Sequence, residues 1–188
     1  MPALPHLRGA SLLVAIGLSA GVAPAARADE ANAGPWQVLK VTDGITVKRR
    51  IHAGEALHEF QGRALIEAPI ARVLAVMDDP EHRPEWSGSC VAARLIERRG
   101  ERVTLIYDRT AAPWPVADRD AVIEGVLTVD EATVTVRIDF RSVADPRVPE
   151  VKGVVRMPRL SGHWLLRPTA DGAFTDVEYQ VHADPGGR

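Results

Sequence analysis

From Cys90 onward the chain alternates apolar and polar residues through six runs, at positions 90–98, 102–109, 119–129, 133–143, 154–167 and 175–183. In the clearest of them Val134, Val136, Ile138 and Phe140 take one side while Thr133, Thr135, Arg137 and Asp139 take the other. Val177, Tyr179 and Val181 repeat the pattern against Asp176, Glu178, Gln180 and His182. A period of two over short runs broken by polar turns belongs to antiparallel strands with one apolar and one wet face. Upstream, residues 57–67 form a further expected strand, and the pieces 36–41 and 45–51 flank a Thr42-Asp43-Gly44 turn as short extended or partly helical segments. Only around residue 70 does the period change. Pro69 opens a helix whose Ile70, Val73, Leu74 and Met77 form one stripe, and Asp79-Pro80 predicts a second helix start with Asp79 as its N-cap. The expected fold class is α+β. One short helix, rising 1.5 Å per residue, cannot cover a sheet of six or more strands, so the rest of the apolar face must meet a helix, a ligand or a partner.

Length and charge narrow the function. At 188 residues and 20.4 kDa the chain suits one domain large enough for a real core. Arg8 precedes an uncharged stretch over residues 9–26, rich in leucine and valine at its centre, and Ala26-Arg27-Ala28 offers a small-residue cleavage site. Residues 1–28 are therefore expected to be a signal peptide cut after Ala28, with 29–35 a linker and 36–188 the folded domain, periplasmic or secreted. Without Arg8 and Arg27, 21 of the 23 basic residues remain against 25 acidic ones, a net charge of −4, which argues against nucleic acid. Arg94, Arg98, Arg99 and Arg102 still form a basic run suited to transient contact with anionic membrane head groups, or else a solvated face. Cys90, the single cysteine, excludes an internal disulfide and reads as a small buried hydrophobe.

The segment Ala112-Pro113-Trp114-Pro115-Val116-Ala117-Asp118-Arg119-Asp120 draws attention as a binding element. Its two prolines fix φ and remove two donors, so the loop stays out of a sheet ladder and holds the indole in a preset place. The order Trp86, Leu105-Ile106-Tyr107, Pro113-Trp114-Pro115-Val116 with Arg119-Asp120, Gly153-Val154-Val155-Arg156, Gly162-His163-Trp164-Leu165-Leu166, and Tyr179 with Asp184-Pro185-Gly186-Gly187 resembles bacterial START-domain (StAR-related lipid-transfer) proteins from about Trp36 onward. The resemblance implies a helix-grip (START/Bet v 1-like) fold, in which a curved antiparallel sheet with short helices grips a long C-terminal helix over a lipid-sized tunnel. In that family the helix follows the Asp-Pro-Gly-Gly motif. Here the sequence ends at Arg188 directly after it. The gripping helix is thus expected to be absent, through truncation or because the chain dimerises across the uncovered face.

On this reading Trp114 between Pro113 and Pro115 gates entry at the tunnel mouth, Trp164, Met157 and Tyr179 line the wall, and Arg119 or Arg156 meets a head group, with Trp86, Tyr107 and Val116 as further ligand contacts. Arg119 and Asp120, being adjacent, should point to opposite faces. No H-E-x-x-H or H-x-E spacing supports a metal, no G-x-S-x-G opens a helix, and no glycine-rich cradle suggests a cofactor. His52 and His58 read as surface or capping residues. The expected function is non-catalytic binding, and transport, of a lipid or other hydrophobic small molecule. The competing expectations are a helix-grip enzyme of the cyclase or hydrolase kind, for which Glu97, Asp108 and Asp120 are the available acids, and a protein-interaction module.

Overall fold

The structure, a computed structural model, describes residues 33–187. The expected signal peptide and the first linker residues lie outside the described residues. Ten strands and two short helices follow in chain order: β1 (Gln37–Thr42), β2 (Ile45–Ile51), β3 (His58–Ile66), α1 (Ile70–Met77), α2 (Arg83–Trp86), β4 (Cys90–Arg99), β5 (Val103–Thr110), β6 (Asp118–Asp130), β7 (Thr135–Ser142), β8 (Val154–Arg156), β9 (Arg159–Pro168) and β10 (Thr175–Asp184). They build one sheet in the order β1-β2-β3-β10-β9-β7-β6-β5-β4, antiparallel except where β8 runs parallel to β6. This is the curved sheet with few helices of the helix-grip class, and among the described residues no helix follows β10.

Local chemistry sets the register. Asp43 (φ 49°) and Gly44 (φ 75°) both occupy the left-handed region, giving the two-residue hairpin turn that pairs Thr42 with Ile45. The flanking pieces are strands, with no helical part. The run expected over 154–167 divides in two because Pro158 has no N–H to donate, so the chain leaves β6 after Arg156 and joins β10 at Arg159. Val134, expected on the apolar face of its strand, sits instead in the preceding turn at φ 55° and is exposed. Strand alternation begins one residue later. The second helix starts at Arg83, capped by no side chain, because the Asp79 carboxylate accepts from His82 Nδ1 at 2.7 Å and leaves the backbone alone.

Two apolar clusters lie on opposite faces. On the inner face Val73 of α1 packs against Val136, Leu166 and Val177, with Leu74, Met77 and Trp164 around them. On the outer face Leu105, Val122 and Val148 form a second cluster. The expectation of one wet face therefore fails at β5 and β6, where residues 143–151 fold over the outer side. Asp120, only 1% exposed, anchors that cover: Arg156 Nε donates to its Oδ1 at 2.7 Å, and Arg156 also reaches the carbonyls of Val148 and Pro149. Complete burial of Leu166 and Val122 is worth about 1.5–3 kcal/mol each.

The sheet edges differ. β4 carries two bulges and the charges of Arg94, Arg98 and Arg99, which discourage pairing with another chain. At the other side Ile45, Ile51 and Phe60 share the inner face and remain exposed.

Candidate ligand-binding cavity

Between α1, α2 and the inner face of β4–β10 lies a cavity of about 600 Å3, open along one side. Strand parity decides what enters it. Thr104, Ile106, Asp108 and Thr110 alternate inward from β5, while Leu105 and Tyr107 turn to the outer cluster. Its far wall is aromatic: Trp164 lies 4.2 Å from Tyr179 between ring centroids, and Phe140 stacks on Tyr179 at 5.8 Å. Gly162 makes that wall possible, since a Cβ there would fall 2.0 Å from the Gln180 carbonyl oxygen and 2.7 Å from Phe140 Cζ. Burial pushes the Tyr179 phenol up to about 12, so it stays a neutral hydroxyl at any physiological pH.

Two ion pairs line this hollow, Arg98 with Asp78 at its more exposed edge and Arg83 with Asp108 deeper in. Arg83 Nη1 of α2 donates to Asp108 Oδ2 of β5 at 2.8 Å, with the two side chains 21% and 14% exposed. The Arg83 guanidinium also lies 5.7 Å above the Trp86 ring. Among the described residues nothing accepts from its buried Nε. A buried donor left unpaired costs about 1–3 kcal/mol, so an oxygen delivered by a ligand would be favoured there. Burial first, and the Asp108 charge second, raise the Cys90 thiol above its ordinary value, leaving it a poor nucleophile.

Of the residues singled out in the sequence, the cavity brings together Trp86, Met157, Trp164 and Tyr179. The others stand elsewhere. Tyr107 points to the outer face, where burial and the Asp120 charge raise its phenol above the ordinary value. Arg156, expected as a head-group ligand, is the ion-pair partner of Asp120 on that same outer side. Trp114 is 92% exposed and Val116 is also exposed, so their loop lies outside the lining. Arg119 does face opposite to Asp120, yet it binds main-chain carbonyls of Ala117, Pro185 and Gly186.

Nothing in the sequence pattern marks Arg83 or Phe140 as site residues, and it offers Asp108 only as an acid. The alternation of Ile106 with Asp108 was the signal for the last. It was obscured because Leu105, Ile106 and Tyr107 are all apolar, as happens when both faces of a strand are buried. Of the three acids available for catalysis only Asp108 lines the cavity, and among the described residues no histidine accompanies it. Glu97 is held down to about 2 by hydrogen bonds from Arg99 and Arg147 on the exposed outer side. His52 is not a surface residue: it is buried, bound to Glu59 at 3.0 Å and stacked on His182. Among the described residues no group of histidine, cysteine or acidic side chains converges to hold a metal.

A curved antiparallel sheet with few helices around an open hollow is the architecture of the helix-grip class. The START domain family model matches residues 43–188, and the chain belongs to that family. It is 35% identical over 161 residues to an uncharacterised protein of Pseudomonas aeruginosa, covering 85% of this chain and 77% of that one. The mouse phosphatidylcholine transfer protein is 27% identical over 158 residues, or 81% of this chain and 72% of the relative. Among solved structures, a STAR-related lipid transfer protein from Xanthomonas axonopodis superposes with a TM-score of 0.74 at 33% identity, covering 81% of this chain and 83% of that one.

Proposed function

We propose that this protein binds a lipid or similar hydrophobic small molecule in the cavity and carries it, without catalysis, outside the cytoplasm. The observation that carries this reading is the roughly 600 Å3 hollow walled by Phe140, Trp164 and Tyr179, with Arg83 Nε unpaired at its polar corner. Burying about 300 Å2 of acyl or ring surface supplies about 7 kcal/mol at the usual 25 cal/mol per Å2. Lost translational and rotational freedom offsets part of that, and micromolar affinity is the reasonable outcome. An acid without a histidine or other base beside it favours holding over reaction. The export part of the proposal rests on the N-terminal residues, and N-terminal sequencing of the exported protein tests it, with Asp29 as the expected first residue.

Membrane contact belongs to the same proposal but falls on a different surface from the basic run. Arg94 stacks over Tyr107, Arg98 pairs with Asp78 and Arg99 with Glu97, so three of those four cations are already engaged. The exposed Trp114, between two prolines, suits the interfacial region of a bilayer better. Phosphatidylcholine and a fluorescent fatty acid are the first ligands to titrate, the former prompted by the mouse relative. Saturable binding by the wild type, weakened about tenfold or more in Trp164→Ala through loss of ring contact, supports the reading. No saturable binding of either probe would sink it.

A further inference from the structure

Two polar stations stand at different depths along one wall of the cavity, and their spacing specifies a ligand. Pairing of β4 with β5 sets Ala93 opposite Asp108, Leu95 opposite Ile106 and Arg98 opposite Thr104. Leu95, Arg98, Thr104, Ile106 and Asp108 all line the hollow. Strict alternation would send Leu95 and Arg98 to opposite faces. The bulge between Leu95 and Glu97 removes that conflict: Ile96 and Glu97 both turn outward, and Arg98 is re-aimed at the cavity. There Arg98 Nη1 donates to Asp78 Oδ1 at the end of α1, at 2.9 Å.

The two stations differ in what they lack. At the inner one the Arg83–Asp108 pair is mostly buried, and among the described residues nothing accepts from Arg83 Nε. At the outer one Arg98 and Asp78 are 38% and 59% exposed. Beside them Arg102 lines the rim, and its guanidinium has no hydrogen bond or ion pair among the described residues. From Thr104 to Asp108 the strand advances about 13 Å, at about 3.3 Å per residue. The wall between is Leu95, Ile106 and Ile123. A plain fatty acid has one polar group, so whichever way it lies, one station meets only a methyl end.

Resting on the carrier reading above, we propose that the ligand is polar at both ends: a long-chain acid whose carboxylate meets Arg102 at the rim and whose hydroxyl or carbonyl oxygen, about 13–15 Å away, accepts from Arg83 Nε. Burial sets the order of the two ends. A charge is costly to strip of water, so the carboxylate belongs at the wet rim and the neutral oxygen in the corner beside the Asp108 charge. An extended carbon chain advances about 1.25 Å per bond of about 1.5 Å, so about ten to twelve carbons span the gap. The simplest molecule of this class is ω-hydroxydodecanoate.

Calorimetric titration of the whole chain at neutral pH compares ω-hydroxydodecanoate with dodecanoate and with the isomer that carries its hydroxyl at mid-chain. A purely apolar pocket binds both hydroxy acids more weakly than dodecanoate, since each must desolvate a hydroxyl. Two stations instead make ω-hydroxydodecanoate the tightest of the three by about tenfold, as expected for one hydrogen bond from a charged donor. Arg83→Lys keeps a cation opposite Asp108 but loses Nε, and should shrink that advantage below about twofold. Arg102→Gln should preserve the advantage while weakening all three acids about threefold, the scale of an exposed ion pair. Equal affinity of the two isomers overturns the proposal, as does an advantage that survives Arg83→Lys, or acids indifferent to Arg102→Gln. If phosphatidylcholine binds and none of the acids does, the carrier reading stands and the two-ended ligand falls; if nothing binds, both fall. The isomer comparison needs only the wild type, so it decides the matter even where Arg83→Lys does not fold.

Discussion

Replacing Asp108 by asparagine should change which head group the cavity accepts. The substitution keeps the size of the side chain and an acceptor oxygen for Arg83 Nη1, now 2.8 Å away, but removes the negative charge that neutralises the guanidinium. A ligand oxygen meeting the unpaired Arg83 Nε would stand about 5 Å from the Asp108 carboxylate. Both side chains are mostly but not fully buried, which places the effective dielectric between the buried value near 20 and that of water. At about 40, two unit charges 5 Å apart repel by about 1.7 kcal/mol. Losing that repulsion should strengthen binding of an anionic fatty acid by roughly 20-fold while leaving the corresponding fatty alcohol within about threefold. The assay is competition of the acid and the alcohol against one fluorescent probe at pH 7.5, for wild type and Asp108→Asn. An unchanged ratio of the two affinities would refute the placement of the head group beside Arg83, and equal weakening of both would mean that the substitution merely disturbs the fold.

Three further outcomes follow from the geometry. Gly162→Ala puts a methyl into the Gln180 carbonyl and the Phe140 ring, and should destabilise by about 1–3 kcal/mol or more, lowering Tm by several degrees; an unchanged thermal midpoint would show that the strands part at no cost. Asp120→Ala strands Arg156 on the outer face; breaking a buried pair costs about 3–5 kcal/mol, less here because the Val148 and Pro149 carbonyls remain, so about 2–4 kcal/mol should appear in urea unfolding, with probe affinity unaltered. For His163, burial first and the Arg137 charge second lower the imidazole below its ordinary value, outweighing Glu178. The folded state then binds fewer protons than the unfolded chain, so its stability is complete above about pH 6.5 and falls as pH drops below it. His163→Gln should flatten the urea midpoint between pH 6.5 and 5, and an equally steep variant would assign that slope to another group.

Period-two alternation locates the strands from Cys90 onward but misses the break at Pro158 and the turn at Val134, while the stripe Ile70, Val73, Leu74, Met77 gives α1 at its observed bounds. What alternation does not carry is which side faces the hollow when both sides are apolar. At β5 the inward set is Thr104, Ile106, Asp108 and Thr110, the more polar of the two, because the outward Leu105 and Tyr107 are buried under a segment that returns from residues 143–151. Tyr107 and Arg156 looked like ligand contacts for the same reason: an aromatic and a cation within apolar runs are equally consistent with a second core. Arg83 was hidden differently. The chain passes through turn residues after Asp79 before α2 begins, and no periodicity shows which way a four-residue helix turns its arginine.

The two faces of the sheet carry different loads, and that division is what allows a hollow to persist inside a small domain. An unfilled cavity forfeits packing energy, so the strands that enclose it must be held from elsewhere. On the outer side Leu105, Val122 and Val148 close a dry cluster under the Asp120–Arg156 pair. Further along the same face Arg63 grips Asp176 with two hydrogen bonds, at 2.8 and 2.9 Å. On the inner side tight packing is confined to the patch where Val73 meets Val136, Leu166 and Val177. Beyond that patch the inner face lines the hollow with aromatic and aliphatic side chains and the Arg83–Asp108 and Arg98–Asp78 pairs. Substitutions at Phe140 or Asp108 should therefore act on ligand choice more than on stability, whereas substitutions at Asp120 or Val122 should do the reverse. Urea midpoints and probe affinities measured on the same four alanine variants separate the two effects, and a single correlated decline across all four would show that the cavity wall and the structural core are one unit.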